Sequence, residues 1–212
     1  MFKGIKMTVS PQVVMEDTRA WVERAVIGLN LCPFAKSVQV KGQVHYAVSQ
    51  AQTPEALLED LVIELKALLA LDPAQRDTTL LIAPDCLDDF LDFNDFLAQA
   101  DQALGDLELD GVLQIASLHP DYQFAGTRLD DITNFTNRSP YPTLHLLRED
   151  SIDRAVQAFP EAETIFERNM ETMERLGPAG WAALGVGRTR TGPVSRPGHE
   201  AAGDSGSDKE EP

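Results

Sequence analysis

The residues that could carry chemistry are concentrated in segment 119–142, which lies between two apolar runs at 112–118 and 143–147. The segment follows neither helical nor strand periodicity over much of its length. Connections longer than about 12–15 residues without regular structure are usually functional or disordered. The aromatic residues in this one argue against disorder. We therefore expect the functional site to lie here.

His119 and Asp121 follow the first apolar run, at the end of a predicted strand. Sites in α/β proteins commonly lie at strand ends, and residues two apart on a strand project from the same face. An imidazole and a carboxylate placed in this way could share one proton, and Pro120 would stiffen the turn between them. We name His119 and Asp121 as candidate catalytic residues. The alternative is that Asp121 caps a turn while His119 hydrogen-bonds the backbone.

A metal site is a second interpretation of the same residues. His145 lies in the following apolar run, and with His119 and Asp121 it would complete a two-histidine, one-carboxylate ligand set. However, a single histidine in an apolar strand is more often a hydrogen-bonded core residue than a ligand. The sequence therefore leaves both the metal and any cofactor unknown.

Arg138 is the candidate for holding a substrate. Its planar guanidinium suits carboxylate and phosphate groups, and a positive pocket in an acidic protein would select an anionic small molecule. The alternative is that Arg138 pairs with a nearby carboxylate. The polar neighbours that could hydrogen-bond the same ligand are Asn134, Asn137, Ser139 and Tyr141.

A second feature, LNLCPFAK at residues 29–36, ends the first predicted helix. Cys32 stands at the C-terminal end of that helix, where the macrodipole opposes a thiolate. Lys36 would offset this effect in part. We expect a structural, partly buried thiol. We nevertheless include Cys32 and Lys36 among the candidate substrate-binding residues, because this helix end could reach the same pocket.

Helices and strands must alternate to position these residues. The pattern predicts an α/β fold, a single domain with a small mixed sheet of about four strands flanked by helices. The run at 78–83 is apolar throughout, as expected for a strand buried on both faces. Asp85 is predicted to cap the third helix, and Gly177-Pro178 to end the last one. The direction of the last strand stays open.

Composition divides the chain and limits its partners. We predict a flexible lead over 1–9, the α/β domain over 10–186 and a disordered acidic tail over 187–212, since the tail lacks apolar periodicity. The formal net charge of −16 argues against nucleic acid as a partner. The chain has no long apolar run, so no membrane partner is expected. Its two cysteines and the absence of a visible secretory segment indicate a cytoplasmic protein.

Three motifs resemble the family called domain of unknown function 1415. They are LNLCPFAK, SLHPDYQFAG at 117–126 and DDITNFTNRSPYPTLHLLRE at 130–149. The resemblance covers roughly residues 17–186. It implies a bacterial-type cytoplasmic protein. It implies no activity, so no catalytic residue is carried over.

These observations favour a small enzyme that acts on an anionic small molecule through the 117–148 segment. One alternative is a non-catalytic domain that binds a metabolite in the same pocket, or regulates through it. Another is a protein whose aromatic loop docks a partner. An enzyme should bring His119, Asp121 and Arg138 to within about 4–6 Å across one concave pocket. The oligomeric state stays open.

Overall fold

The computed structural model describes residues 9–159 and 162–189 of the 212-residue chain. They form the mixed α/β fold predicted from the sequence, with a four-stranded sheet. The predicted lead, except residue 9, and the predicted tail beyond residue 189 lie outside the described residues. The strands are β1 (Val44–Val48), β2 (Thr78–Ile82), β3 (Leu113–Leu118) and β4 (Thr143–Arg148). The helices are α1 (Pro11–Trp21), α2 (Ala35–Val40), α3 (Pro54–Ala70), α4 (Phe90–Asp106), α5 (Glu149–Ala158) and α6 (Ile165–Ala183).

The strand order in the sheet is β1-β2-β4-β3. β1 and β2 are parallel and are joined through α3, whereas β4 is antiparallel to both of its neighbours. Segment 119–142 therefore carries the chain from the edge strand β3 back into the sheet, so that β4 lies between β2 and β3. This arrangement fixes the direction of the last strand, which the sequence had left open.

α3 and α4 cover one face of the sheet. Thr53 caps α3 by accepting the Ala56 amide, and leucines at helical spacing form the buried stripe of this helix. The stripe packs with the side chains of one sheet face and of α4. This core contains Leu57, Leu61, Leu65, Leu68, Leu81, Phe93, Phe96, Leu104, Leu113, Leu144 and Leu146.

The N-terminal helix covers the other face over β1 and β2. Val14 and Trp21 pack on Leu80 and Ile82, and the end of α6 contributes Trp181 to this second core. On the same face, β3 and β4 are not packed in this way. They form the floor of a cavity, described below.

Three helical features differ from the prediction. The first helix changes to a π-helix over Val22–Ile27, and α2 has no counterpart in the predicted elements. The prediction that Asp85 caps the third helix is wrong, because Asp89 caps α4 by accepting two backbone N–H groups on its carboxylate. Leu87, between the two aspartates, has φ 57°, so the backbone cannot be helical there.

The predicted stop at Gly177-Pro178 is a kink within α6. Gly177 takes φ 63° and ψ 175°, which interrupts the helix. Pro178 then begins the next turn, where its missing N–H costs nothing. Trp181 therefore belongs to α6 and reaches the second core. No helix in the described ranges is long and apolar enough to cross a membrane.

Candidate functional site

His119 is completely buried under α4, with 0% of its surface exposed. Its ring packs against Phe90 and Phe93, at centroid distances of 5.4 and 5.1 Å. Nδ1 accepts the backbone N–H of Asp121 at 3.0 Å, so Nε2 carries the proton and donates to the Leu87 carbonyl at 3.1 Å. Both ring nitrogens are therefore engaged with the backbone. Burial lowers the pKa of His119, which keeps the ring neutral.

Arg138 stabilises the turns of segment 119–142. Its Nε donates to the Tyr122 carbonyl at 3.1 Å and its Nη2 to the Leu129 carbonyl at 2.8 Å. The guanidinium lies 4.4 Å from the centroid of the Phe135 ring. Asp121, which was predicted to share a proton with His119, is exposed.

Asn134 connects the 3₁₀ helix Ile132–Asn137 to residues 124–128 of the same loop. It is fully buried; its Oδ1 accepts the Phe124 amide and the Thr127 hydroxyl, at 3.0 and 2.8 Å. Its Nδ2 donates to the Arg128 carbonyl at 2.8 Å. All of these partners belong to the loop, so they hold its shape.

Ser139 and Tyr141 connect the loop to the N-terminal helix. Ser139 Oγ donates to the Tyr141 carbonyl at 2.6 Å, and the Tyr141 hydroxyl donates to Asp17 at 2.8 Å. Burial, followed by this carboxylate, raises the pKa of Tyr141. The amide and hydroxyl of Thr189 donate to the same carboxylate. The described chain thus continues past residue 186, the predicted end of the domain.

A cavity of about 650 Å³ lies on the second face of the sheet, over β3 and β4. This volume is within the range of about 300–1,000 Å³ that is typical of small-molecule sites. Its walls come from the π-helix, LNLCPFAK, the 3₁₀ helix Ile132–Asn137, α5 and α6, and most of the lining is apolar. The sheet therefore forms the floor of a ligand-sized space that distant parts of the chain border.

His145 forms part of the floor of this cavity. The strand register places it between Leu80 of β2 and Ala116 of β3, and paired residues project from the same face. Leu80 belongs to the second core, so His145 faces away from α3 and α4. The single methyl group of Ala116 leaves space beside the imidazole that a larger side chain would fill.

The hydrogen bonds of Thr78 define the tautomer of His145. Thr78 Oγ1 lies 2.6 Å from the Leu146 carbonyl oxygen and 2.8 Å from Nε2 of His145. A carbonyl only accepts, so the one hydroxyl proton goes to Leu146. Nε2 must then carry a proton and donate it to Thr78.

Nδ1 of His145 is consequently the unprotonated nitrogen. It makes no hydrogen bond with the described residues. Among those residues, the buried side-chain polar atoms that have no partner are Trp21 Nε1 and Arg148 Nε. Because His145 lines the cavity, Nδ1 is the ring nitrogen available to accept a hydrogen bond from a bound molecule. Burial lowers the pKa of His145 to about 4, so the ring is neutral near pH 7.

Cys32 lines the same cavity. It precedes α2 as well as following the first helix, so the backbone N–H groups of Phe34 and Ala35 favour its thiolate. Burial is the larger effect and raises the pKa of the thiol. α2 was not predicted from the sequence, so these two donors were not expected either.

The predicted site residues thus lie in different parts of the structure. Cys32 and Asn137 line the cavity. Arg138 and Ser139 line a smaller pocket of about 230 Å³, and Lys36 is exposed on α2. The cavity residues not named from the sequence as candidates include Tyr122, Thr78 and Asn169. The sequence signals for this site were Cys32, Asn137 and His145, the last a histidine within an apolar strand.

The histidines do not come together as a metal site. His119 packs on the α4 side of the sheet and His145 faces the cavity on the other side. Within residues 9–159 and 162–189, no three His, Cys, Asp or Glu side chains are placed to hold a metal ion.

Fold and site together define a small α/β protein with a mostly apolar cavity against a mixed sheet. A family described as "Protein of unknown function (DUF1415)" matches residues 13–183, and the chain belongs to this family. The match spans LNLCPFAK and the whole of segment 119–142, and it confirms the resemblance of the three motifs. No curated protein and no solved structure matches the chain.

Proposed function

We propose that this protein binds a small, largely apolar molecule in the cavity of about 650 Å³. The cavity itself carries the proposal. Its lining is mostly apolar, and a ligand of matching size would cover that apolar surface and gain dispersion contacts with it.

The polar groups of the lining support this proposal. Ligand sites combine an apolar surface with a few polar groups that orient the ligand. Here those groups include the thiol of Cys32, the amide of Asn137, the phenol of Tyr122 and the imidazole of His145. They come from separate elements, so they would surround a bound molecule.

Binding is better supported than acid–base catalysis. An efficient general acid or base has a pKa near the working pH. The pKa of His145 is lowered to about 4, and both ring nitrogens of His119 are bonded to the backbone. We therefore favour a non-catalytic metabolite-binding role over the enzyme expected from the sequence.

A second candidate is an enzyme that uses Cys32 as a nucleophile. The observation in its favour is that the thiol lines the cavity while two backbone N–H groups favour the thiolate. An anionic substrate in the cavity would not meet Arg138, which lines the smaller pocket instead. Two of the nitrogens of Arg138 already donate to carbonyl groups, so an anion in that pocket would have to use its other N–H groups or displace these bonds.

A thermal-shift screen of the purified chain against a metabolite library tests the proposal. A compound at 100 times its dissociation constant adds about 2.7 kcal/mol to the free energy of unfolding. Ala116→Leu should reduce such a shift by narrowing the cavity beside His145. Ala98→Leu, on the exposed side of α4, is the matched control and should retain it.

Two results would contradict the proposal. One is a set of hits whose shifts survive Ala116→Leu unchanged. The other is a hit whose shift is removed by Arg138→Ala but not by Ala116→Leu. That result would favour binding in the smaller pocket that Arg138 and Ser139 line.

A further inference from the structure

We propose that the ligand is an uncharged molecule that donates a hydrogen bond, from a hydroxyl or N–H group, to Nδ1 of His145. This inference rests on the proposed function, since it specifies the chemistry of a ligand bound in the same cavity. It is argued from the direction of one hydrogen-bond chain and from the charges that line the cavity.

The hydrogen-bond chain runs in one direction only. The carbonyl of Leu146 accepts from Thr78, and Thr78 accepts from Nε2 of His145. Because the backbone carbonyl cannot donate, no step of this chain can be reversed while Nε2 stays bonded to Thr78. Nδ1 must therefore accept, and the complementary ligand atom must donate.

A ligand that places a hydrogen-bond acceptor against Nδ1 would bind less tightly. A ligand ether or carbonyl oxygen placed against Nδ1 would leave two lone pairs opposed and one buried acceptor unsatisfied. A hydroxyl or N–H group would instead satisfy Nδ1. The cavity should therefore distinguish a donor from an isosteric molecule that lacks it.

The lining contains two charged side chains, Asp77 and Arg148, of opposite sign, and each hydrogen-bonds other parts of the chain. Asp77 accepts the Ser151 hydroxyl at 2.6 Å. Arg148 donates through Nη2 to the carbonyls of Leu68 and Leu71, at the C-terminal end of α3. Its Nε is buried and has no hydrogen-bond partner among the described residues.

A charged ligand group would consequently lose its hydration in a mostly apolar cavity whose two charged side chains carry no net charge. Uncompensated burial of an ion costs several kcal/mol or shifts its pKa until it is neutral. The imidazole of His145 supplies no charge near pH 7. The lining therefore selects neutral molecules such as alcohols, phenols or amides.

Three compounds of similar shape separate these requirements. 1-Naphthol donates a hydrogen bond, 1-methoxynaphthalene lacks the donor and 1-naphthoate carries a negative charge. Binding of each to the full chain is measured by isothermal titration calorimetry at pH 7.5. We expect 1-naphthol to bind about tenfold more tightly than 1-methoxynaphthalene, the effect of one buried hydrogen bond, and 1-naphthoate to bind most weakly.

Variants assign the preference to His145. His145→Phe should remove the difference between 1-naphthol and 1-methoxynaphthalene while leaving the binding of the latter nearly unchanged. Thr78→Val retains the imidazole but removes the bond that fixes its proton, so the preference should become smaller. Nitrogen-15 NMR of the histidine side chains in the unliganded protein should show His145 protonated at Nε2.

The outcomes separate this inference from the proposed function. Equal binding of 1-naphthol and 1-methoxynaphthalene, tightest binding of 1-naphthoate, or a proton on Nδ1 would overturn the inference even if Ala116→Leu reduces binding. Binding of none of the three, or binding that Ala116→Leu leaves unchanged, would overturn the proposed function and this inference with it.

Discussion

Replacement of His145 by glutamine should reduce the loss of stability that this protein suffers in acid. The imidazole is neutral in the folded chain because burial lowers its pKa to about 4 from an ordinary value of 6.5. In the unfolded chain it is solvated and titrates normally. Acid therefore adds a proton to the unfolded state before the folded state accepts one.

The sign and size of the effect follow from this difference. Between about pH 6.5 and 4, the unfolded state binds one more proton than the folded state, so the free energy of unfolding falls as the pH falls. Each pKa unit corresponds to 1.36 kcal/mol. The difference between 6.5 and about 4 thus gives a loss of about 3 kcal/mol, complete near pH 4 and absent above pH 7.

Urea unfolding in steps from pH 7.5 to 4 measures this effect. The pKa values of His119 and His45 are also lowered, chiefly by burial, so they add losses of the same sign. The difference between the wild-type curve and that of His145→Gln isolates one histidine. His45→Gln is the matched control, because nearly half of the His45 side chain is exposed, 46%, and it should change the curve less. Parallel wild-type and His145→Gln curves would refute the reasoning, since they would mean that water in the cavity solvates the imidazole.

Three further substitutions or reactions have defined expected results. Asp17→Ala should lower the free energy of unfolding by about 2–3 kcal/mol in urea, because the buried Tyr141 hydroxyl loses a charged acceptor; a smaller loss in a Tyr141→Phe background would show the coupling. Gly28→Ala should destabilise by about 2 kcal/mol in thermal unfolding, since its Cβ would lie 2.2 Å from the Arg24 carbonyl oxygen at the end of the π-helix. Iodoacetamide should label Cys32 at pH 7.5 at least about tenfold more slowly in the folded chain than in urea, because burial raises the pKa of the thiol.

The opposite results would be informative. Strict additivity of the Asp17 and Tyr141 substitutions would mean that their hydrogen bond contributes nothing to stability. A stable Gly28→Ala protein would mean that the π-helix relaxes locally. Rapid labelling of Cys32 would favour the nucleophile over the structural thiol.

The parts of the fold that depend on local pattern could be predicted. Leucines at helical spacing indicated α3, and the continuous apolar run at 78–83 indicated the buried strand β2. The position of β4 between β2 and β3 depends instead on pairing with residues far away in the chain. Neither hydrophobic periodicity nor turn chemistry in segment 119–142 specifies which strands will be neighbours, so the topology had no local signal.

The candidate site was harder to predict, because polar residues in an irregular loop have two possible uses. A loop lacks the regular hydrogen bonds of a helix or sheet, yet its buried backbone groups must still find partners. Asn134 and Arg138 supply those partners from within segment 119–142. The large number of polar residues in this segment therefore reflects the hydrogen bonds that the backbone needs and does not by itself indicate a ligand.

The two histidines show what distinguishes a structural residue from a candidate binding residue. Both follow or occupy apolar strands, and burial lowers the pKa of both. His119 has a backbone partner on each ring nitrogen, whereas His145, which lines the cavity, has one partner, Thr78, and a second nitrogen that makes no hydrogen bond with the described residues. Burial and pKa alone would rank them together. The number of ring nitrogens without a partner separates them, and that number depends on groups brought from other parts of the chain, which is why the sequence could name both histidines as candidates but could not rank them.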